Sequence, residues 1–154
     1  DDQCRVANWR EVGFKDGREG REPSFLRQHR KACANVGIAP VRSEWEIGRQ
    51  EGLPLYCLPS KAYRIGRSGR KISPVCTDEQ LREMRPAFRH GRAYWRIEDE
   101  LDDLEREADL IHRQIASLGP DDKRLRRRLR SDLQYLRLRR QQLELRQLRY
   151  SSWP

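Results

Sequence analysis

The second half of this chain carries a heptad seam, and nothing else in the sequence restricts the fold as tightly. Ile97, Leu101, Leu104, Ala108, Ile111, Ile115 and Leu118 follow one another at steps of 4, 3, 4, 3, 4 and 3. That spacing keeps apolar side chains on one face of an α-helix and calls for a partner helix along the face. Gly119-Pro120 stops the helix, and Asp121 or Asp122 can cap the next one. The following helix places Leu125, Leu129, Leu133, Leu136, Leu143 and Tyr150 on one stripe, with Arg140 and Gln147 in the remaining core-like positions. Leu138, Leu145 and Leu148 form a second apolar strip that needs a cover of its own. The short link predicts an antiparallel coiled-coil hairpin over 86–154, with arms of roughly 45–50 Å. Charge agrees with this pairing. Residues 86–118 hold five Arg against eight carboxylates, and residues 121–150 hold eleven basic side chains against four acidic ones. Each surface ion pair is worth only about 0–1 kcal/mol, so the seam must supply most of the stability.

Residues 1–77 follow other rules. They contain all four Cys, at 4, 33, 57 and 76, and most of the Gly and Pro, and their apolar runs are short. With 36% apolar and 37% charged residues, the chain can build only a thin core and needs staples. No CxxC occurs, which argues against zinc ribbons and thioredoxin-like chemistry. Two disulfides in an oxidising compartment are expected, with four buried thiols in a cytosolic protein as the alternative. Ser24 can cap a helix from Phe25 to about Cys33. The stretch from Ala62 to Ile72 reads as a β-hairpin or compact loop around Gly66–Gly69. Thr77-Asp-Glu-Gln80 is a capping box for a short helix over 78–85, which Pro86 interrupts or restarts. The expected fold is therefore mainly α: a small disulfide-stapled helical domain over 1–77 with a short β-hairpin, a linker helix, and the hairpin over 86–154.

A small-residue element recurs in the first half. Trp9-Arg-Glu-Val12-Gly13-Phe-Lys-Asp16-Gly17 resembles Trp45-Glu-Ile47-Gly48-Arg-Gln-Glu51-Gly52, with weaker echoes at Tyr63–Arg67 and Phe88–Arg92. Gly13 and Gly17, like Gly48 and Gly52, lie one helical turn apart. Gly inside a helix costs about 1 kcal/mol against Ala, so a close crossing of two helices, packed by Trp9 and Trp45, is the simplest reason for them. The functional alternative is a pocket lined by Asp16, Glu51 and the two Trp, where paired carboxylates could act on sugars.

The net charge is +9, and 28 of the 33 basic residues are Arg. Such a surface attracts nucleic acid, anionic lipid or an acidic protein face. No apolar run reaches the roughly 18 residues of a membrane span. No signal peptide is visible, and the opening Asp1-Asp2-Gln3-Cys4 suggests a processed N-terminus. His29, His90 and His112 lie far apart with no HExxH spacing, so neither a metal nor another cofactor is expected. There is no GxSxG elbow and no GxxxxGK[ST] loop, so no catalytic residue is assigned. Gly66-Arg-Ser-Gly69-Arg70-Lys71 remains open as an anion-binding turn. The densest basic patch, Lys123 to Arg130, interleaves with Leu rather than with stacking aromatics, which disfavours nucleic acid.

Cys4, Asn8-Trp9, Val12-Gly13-Phe14, Asp16-Gly17 and Gly20 resemble the opening of the domain-of-unknown-function family 2799. So do His29–Cys33, Gly37, Pro40, Gly48-Arg49, Glu51-Gly52-Leu53, Tyr56-Cys57, the Gly66–Gly69 turn and Val75-Cys76. The resemblance covers about residues 4–95, departs at Asn8, where an acidic residue is common, and leaves most of the hairpin outside. It implies a bacterial cell-envelope protein, often lipid-anchored, with no established activity and hence no catalytic residues to transfer. Four Cys allow three pairings. Cys4–Cys33 and Cys57–Cys76 are favoured because each closes a local unit. The leading functional expectation is a non-enzymatic periplasmic or outer-membrane-associated interaction protein. It would dock on a protein partner, or on itself, through Arg126, Arg127, Arg128, Arg130, Leu138, Leu145 and Leu148, with anionic lipid as a further contact. The alternatives are a basic nucleic-acid- or anion-binding protein and an envelope enzyme using Asp16 and Glu51.

Overall fold

The computed structural model describes residues 2–154, and these form helices and turns with no strand among them. The helices are α1 (Asp2–Arg5), α2 (Trp9–Arg18), α3 (Leu26–Cys33), α4 (Arg42–Tyr56), α5 (Pro59–Arg67), α6 (Asp78–Ser117) and α7 (Lys123–Gln147). Short 3-10 turns cover Pro23–Phe25, Ala34–Val36 and Leu148–Tyr150.

The first half is built from two parallel helix crossings. In the first, α2 lies on α4. A Cβ on Gly13 would overlap the carbonyl oxygen of Trp45, and one on Gly17 that of Arg49. Gly48 and Gly52 meet the carbonyls of Arg10 and Phe14 in the same way. Successive glycines therefore match successive turns of the partner, so both helices run in one direction with their backbones in contact. The second crossing lays α5 on the start of α6. Gly66 faces the Phe88 carbonyl and Gly91 the Tyr63 carbonyl, and one turn earlier on each helix stand the wholly buried Ala62 and Ala87. The echoes at Tyr63–Arg67 and Phe88–Arg92 are thus a second copy of the same packing device, with Ala in two of the four small positions.

Both crossings end their first helix alike. Arg21 N–H donates to the Asp16 carbonyl and Gly20 N–H to that of Gly17, as Arg70 does to Ile65 and Gly69 to Gly66. Gly20 and Gly69 both have φ of +73°, the left-handed geometry of a Schellman stop. An arginine from the second helix then bonds each turn: Arg49 Nη1 reaches the Arg21 carbonyl at 3.1 Å, and Arg92 Nη1 the Gly69 carbonyl at 2.6 Å. Each unit carries one disulfide, Cys4–Cys33 with Cα atoms 5.7 Å apart and Cys57–Cys76 at 5.6 Å. These are the two favoured local pairings. Two small cores result: Trp9, Leu26, Cys33 and Trp45 in one, and Tyr56, Cys57, Ala62, Tyr63, Ile65, Met84 and Ala87 in the other.

Three local expectations are corrected. Residues 59–67 form a helix and not a β-hairpin, because Ala62, Tyr63, Ile65 and Gly66 are buried together on the α6 side, a helical grouping that alternation mimicked over a short stretch. Pro86 neither interrupts nor restarts a helix. It sits inside the 40-residue α6, on an exposed side where water can satisfy the Arg82 carbonyl it frees. Ser24 lies within a 3-10 turn, and α3 begins at Leu26 with no side-chain cap. The Thr77 capping box forms in full: Thr77 Oγ1 accepts from Gln80 N–H at 3.2 Å, and Gln80 Oε1 from Thr77 N–H at 2.9 Å.

The heptad seam packs as expected. Leu104, Ala108, Ile111 and Ile115 of α6, with Leu118 just past its end, meet Leu129, Leu133 and Leu136 of α7. On α7 the details shift. Leu125 is largely exposed at the open tip, and it is Arg139, not Arg140, that turns toward α6 and pairs with Glu100. Arg140 stays on the surface with Glu144 at 2.8 Å. The chain end is not frayed. Tyr63 Oη donates to the Tyr150 carbonyl and Arg67 Nη1 to that of Ser151, both at 2.7 Å. Trp153 stacks edge-on to His90. The tail thus ties the far end of α7 back onto the second crossing.

Candidate docking face on the last helix

Asp16 and Glu51, the two carboxylates that a catalytic pocket would need together, face different surroundings. Asp16 is buried. Its Oδ2 accepts from Trp45 Nε1 at 2.7 Å and lies 2.6 Å from His29 Nε2, whose ring is held edge-on between Trp9 and Phe25. Glu51 is exposed and grips Arg10 across the α2–α4 crossing, and the Arg10 hydrogen bond holds its carboxyl below the ordinary value. Asp16 thus satisfies an indole N–H that the core has sealed from water. Truncation to Ala is expected to destabilise the fold by about 1–3 kcal/mol, whereas Asp16→Asn, which keeps an acceptor, should cost less; urea unfolding followed by Trp fluorescence distinguishes them. Arg49 is also buried, bonded to Glu46 through Nε at 3.0 Å and Nη2 at 2.8 Å, and this hydrogen bonding lowers the Glu46 pKa. Trp9, Gly13, Gly17, Trp45, Gly48 and Gly52 all lie in the first crossing, where they serve packing.

The surface that packing leaves open is on α7. Tyr135, Leu138, Leu145 and Leu148 are 67%, 54%, 69% and 68% exposed. At about 100° per residue they share an arc of roughly 140° that points away from the α6 seam. Lys123, Arg124, Arg127 and Arg130 continue the same arc toward the tip, and the one carboxylate at its border, Glu144 beside Leu145 and Leu148, is paired with Arg140. Arg128 stands at its edge. Arg126 does not belong to it, because its Nη2 donates to the Leu118 and Gly119 carbonyls at 3.2 and 3.0 Å and so clamps the hairpin turn. Beside the arc, the open side of the hairpin forms a groove of about 280 Å³ floored by Leu104, Ala108, Leu133 and Leu136. The face is therefore basic toward the tip and apolar toward the head. Tyr135 belongs to it although it stood outside the expected strip; its spacing of three from Leu138 was the signal.

Residues 8–93 match the family described as protein of unknown function (DUF2799). The chain belongs to the DUF2799 family. The match begins at Asn8, the N-cap of α2, where its Oδ1 accepts from Glu11 N–H at 3.2 Å, and it ends two residues past Gly91. The DUF2799 portion is thus the pair of glycine crossings with the loops between them. The α7 face lies wholly outside it. Neither the curated proteins nor the solved structures contain a match to the chain. No helix among the described residues is long and apolar enough to cross a membrane. The two disulfides are compatible with an extracytoplasmic setting.

Proposed function

We propose that this is a non-enzymatic interaction protein of the bacterial cell envelope, periplasmic or associated with the outer membrane. Its stapled head anchors a helical arm, and the outer face of α7 docks on a protein partner that presents an acidic, amphipathic surface. The observation that carries the reading is the exposure of Tyr135, Leu138, Leu145 and Leu148 in line with Lys123, Arg124, Arg127 and Arg130, the bordering Glu144 being paired with Arg140. Apolar side chains at steps of three, four and seven suit a partner helix, and the unbalanced cations favour an acidic one and speed its approach. A second copy laid parallel along α7 would oppose like charges from Lys123 to Arg130, and one laid antiparallel would set those charges on the apolar half.

A photoreactive residue placed at Leu138 or Leu145 in the full chain should crosslink in cells to one discrete acidic protein. The same residue at exposed Gln28 on the head should not. Leu145→Glu should abolish the adduct yet change unfolding stability by less than about 0.5 kcal/mol, as expected for a surface position. Arg127→Glu with Arg130→Glu should weaken it most at low salt and approach wild type as salt rises, because salt screens the new repulsion from an acidic partner. Adducts only to a second copy, or none at all, would remove the reading.

A further inference from the structure

The two Schellman stops of the head lie on opposite sides of one cleft. Arg21 follows the first stop, and Arg70 and Lys71 follow the second. All three line a cavity of about 310 Å³ with Lys61, which is half-buried at the start of α5. The only carboxylate on the wall is Glu19, and it sits 3.2 Å from Arg21. Lys61, Arg70 and Lys71 have no ion-pair partner among the described residues. The walls therefore hold three uncompensated positive charges.

A fifth group points to what would neutralise them. Tyr56 is 96% buried, its ring lies against Gly20, and it lines the cleft. Its hydroxyl oxygen accepts from Ser73 N–H at 2.9 Å, which uses its acceptor side and leaves the O–H proton without an acceptor among the described residues. Arg70 Nε is spent on Ser68 Oγ at 3.0 Å, and its terminal nitrogens have no partner among the described residues. A buried hydroxyl donor beneath three cations, two of them flexible, matches a tetrahedral oxyanion better than a planar carboxylate alone. Charge-assisted donors of this kind bind about twice as strongly as neutral ones. The volume stands at the lower end of the range for small-ligand sites and is ample for a phosphate group.

We propose that the cleft between the two crossings binds a phosphate group, carried by a soluble phosphate ester or by a lipid headgroup. The site is separate from the α7 face and does not depend on its partner. The family match includes every residue of the cleft, so the site belongs to the DUF2799 portion and not to the arm.

The test uses the oxidised full chain. Inorganic pyrophosphate is titrated by calorimetry, and vesicles of phosphatidylglycerol mixed into phosphatidylcholine are tested by co-sedimentation. The cleft variant is Arg70→Gln with Lys71→Gln, both exposed and outside every core. The charge-matched control is Arg127→Gln with Arg130→Gln on the arm. The cleft variant should bind at least one probe about tenfold more weakly than wild type, and the control less than about twofold. In NMR titrations the amides of Arg21, Arg70 and Ser73 should shift while those of α7 stay in place. Binding of pyrophosphate points to a soluble ester, and binding of vesicles alone to a headgroup. Equal weakening in both variants, or no binding of either probe, would overturn the proposal.

Discussion

Gly48→Ala is expected to lower unfolding stability by about 3 kcal/mol, near the upper end of ordinary overpacking. The added methyl would fall on the Arg10 carbonyl, and a Phe14 backbone N–H lies next to it. Neither is the flexible end of a side chain, so the only relief is to part the two helices. Parting them also pulls Trp45 from the core and strains the Asp16 hydrogen bond, which depends on the same spacing. For a chain of this size the loss amounts to a fall in melting temperature of about 10 °C. Gly119→Ala is the control: a Cβ there meets nothing closer than the Asp122 carboxylate at 3.6 Å, and the change should stay within about 0.5 kcal/mol. Gly66→Ala in the second crossing should behave like Gly48→Ala, because its Cβ would overlap the Phe88 carbonyl. Thermal melts of the three variants decide the matter. Equal melts for Gly48→Ala and Gly119→Ala would mean that the crossing is looser than its geometry.

Reduction should have the larger effect. The disulfides close loops of 29 and 19 residues, and the chain-entropy relation assigns them about 3–4 kcal/mol each. Together they approach the whole stability of a typical domain, about 5–15 kcal/mol. The two head cores are small, and neither can absorb such a loss. Reduced protein should therefore lose most of its head structure in low urea, while the oxidised protein resists. Cys57→Ser with Cys76→Ser should be the more damaging of the two pair deletions. That bridge lies beside the core that receives α5, the start of α6 and Trp153 from the tail, so its loss loosens the head and the arm's anchorage together. Urea titrations by circular dichroism, with and without reductant, read this directly; an unchanged midpoint would show that the cores alone hold the head.

Some of this architecture was legible in the residues because it is local. The heptad seam depends on steps of three and four within one helix, and Leu104 through Leu118 pack as those steps require. The Thr77 capping box needs only four residues. The paired glycines of α2 and α4 announced a close crossing because Gly inside a helix has a cost that some contact must offset. The second crossing was harder to see. Ala62 and Ala87 occupy small positions but are ordinary helix formers, so they carry no mark of a crossing, and the stretch from Ala62 to Ile72 alternates as a β-hairpin or compact loop would. Arg140 and Arg139 are neighbours whose roles depend on where Glu100 stands across the seam. The cleft was visible only as a Gly-Arg-Ser-Gly-Arg-Lys run, and its other half, Tyr56 and Arg21, lies elsewhere in the chain.

By itself, then, the sequence determined that the chain is helical, that its second half folds back as a hairpin, and that its first half needs disulfides and close helix contacts. Periodicity, capping and small-residue spacing act within a few turns of one helix, and each leaves its mark in adjacent residues. Tertiary structure alone decided which helix crosses which, that the crossings are parallel and twofold, and that the tail closes on His90 and Tyr63. It also decided that Asp16 and Glu51 part company and that one face of α7 is left uncovered. Those outcomes depend on backbones meeting across 20 to 90 residues of chain, where many pairings are sterically open and the best-packed set is chosen by the fit of whole helices.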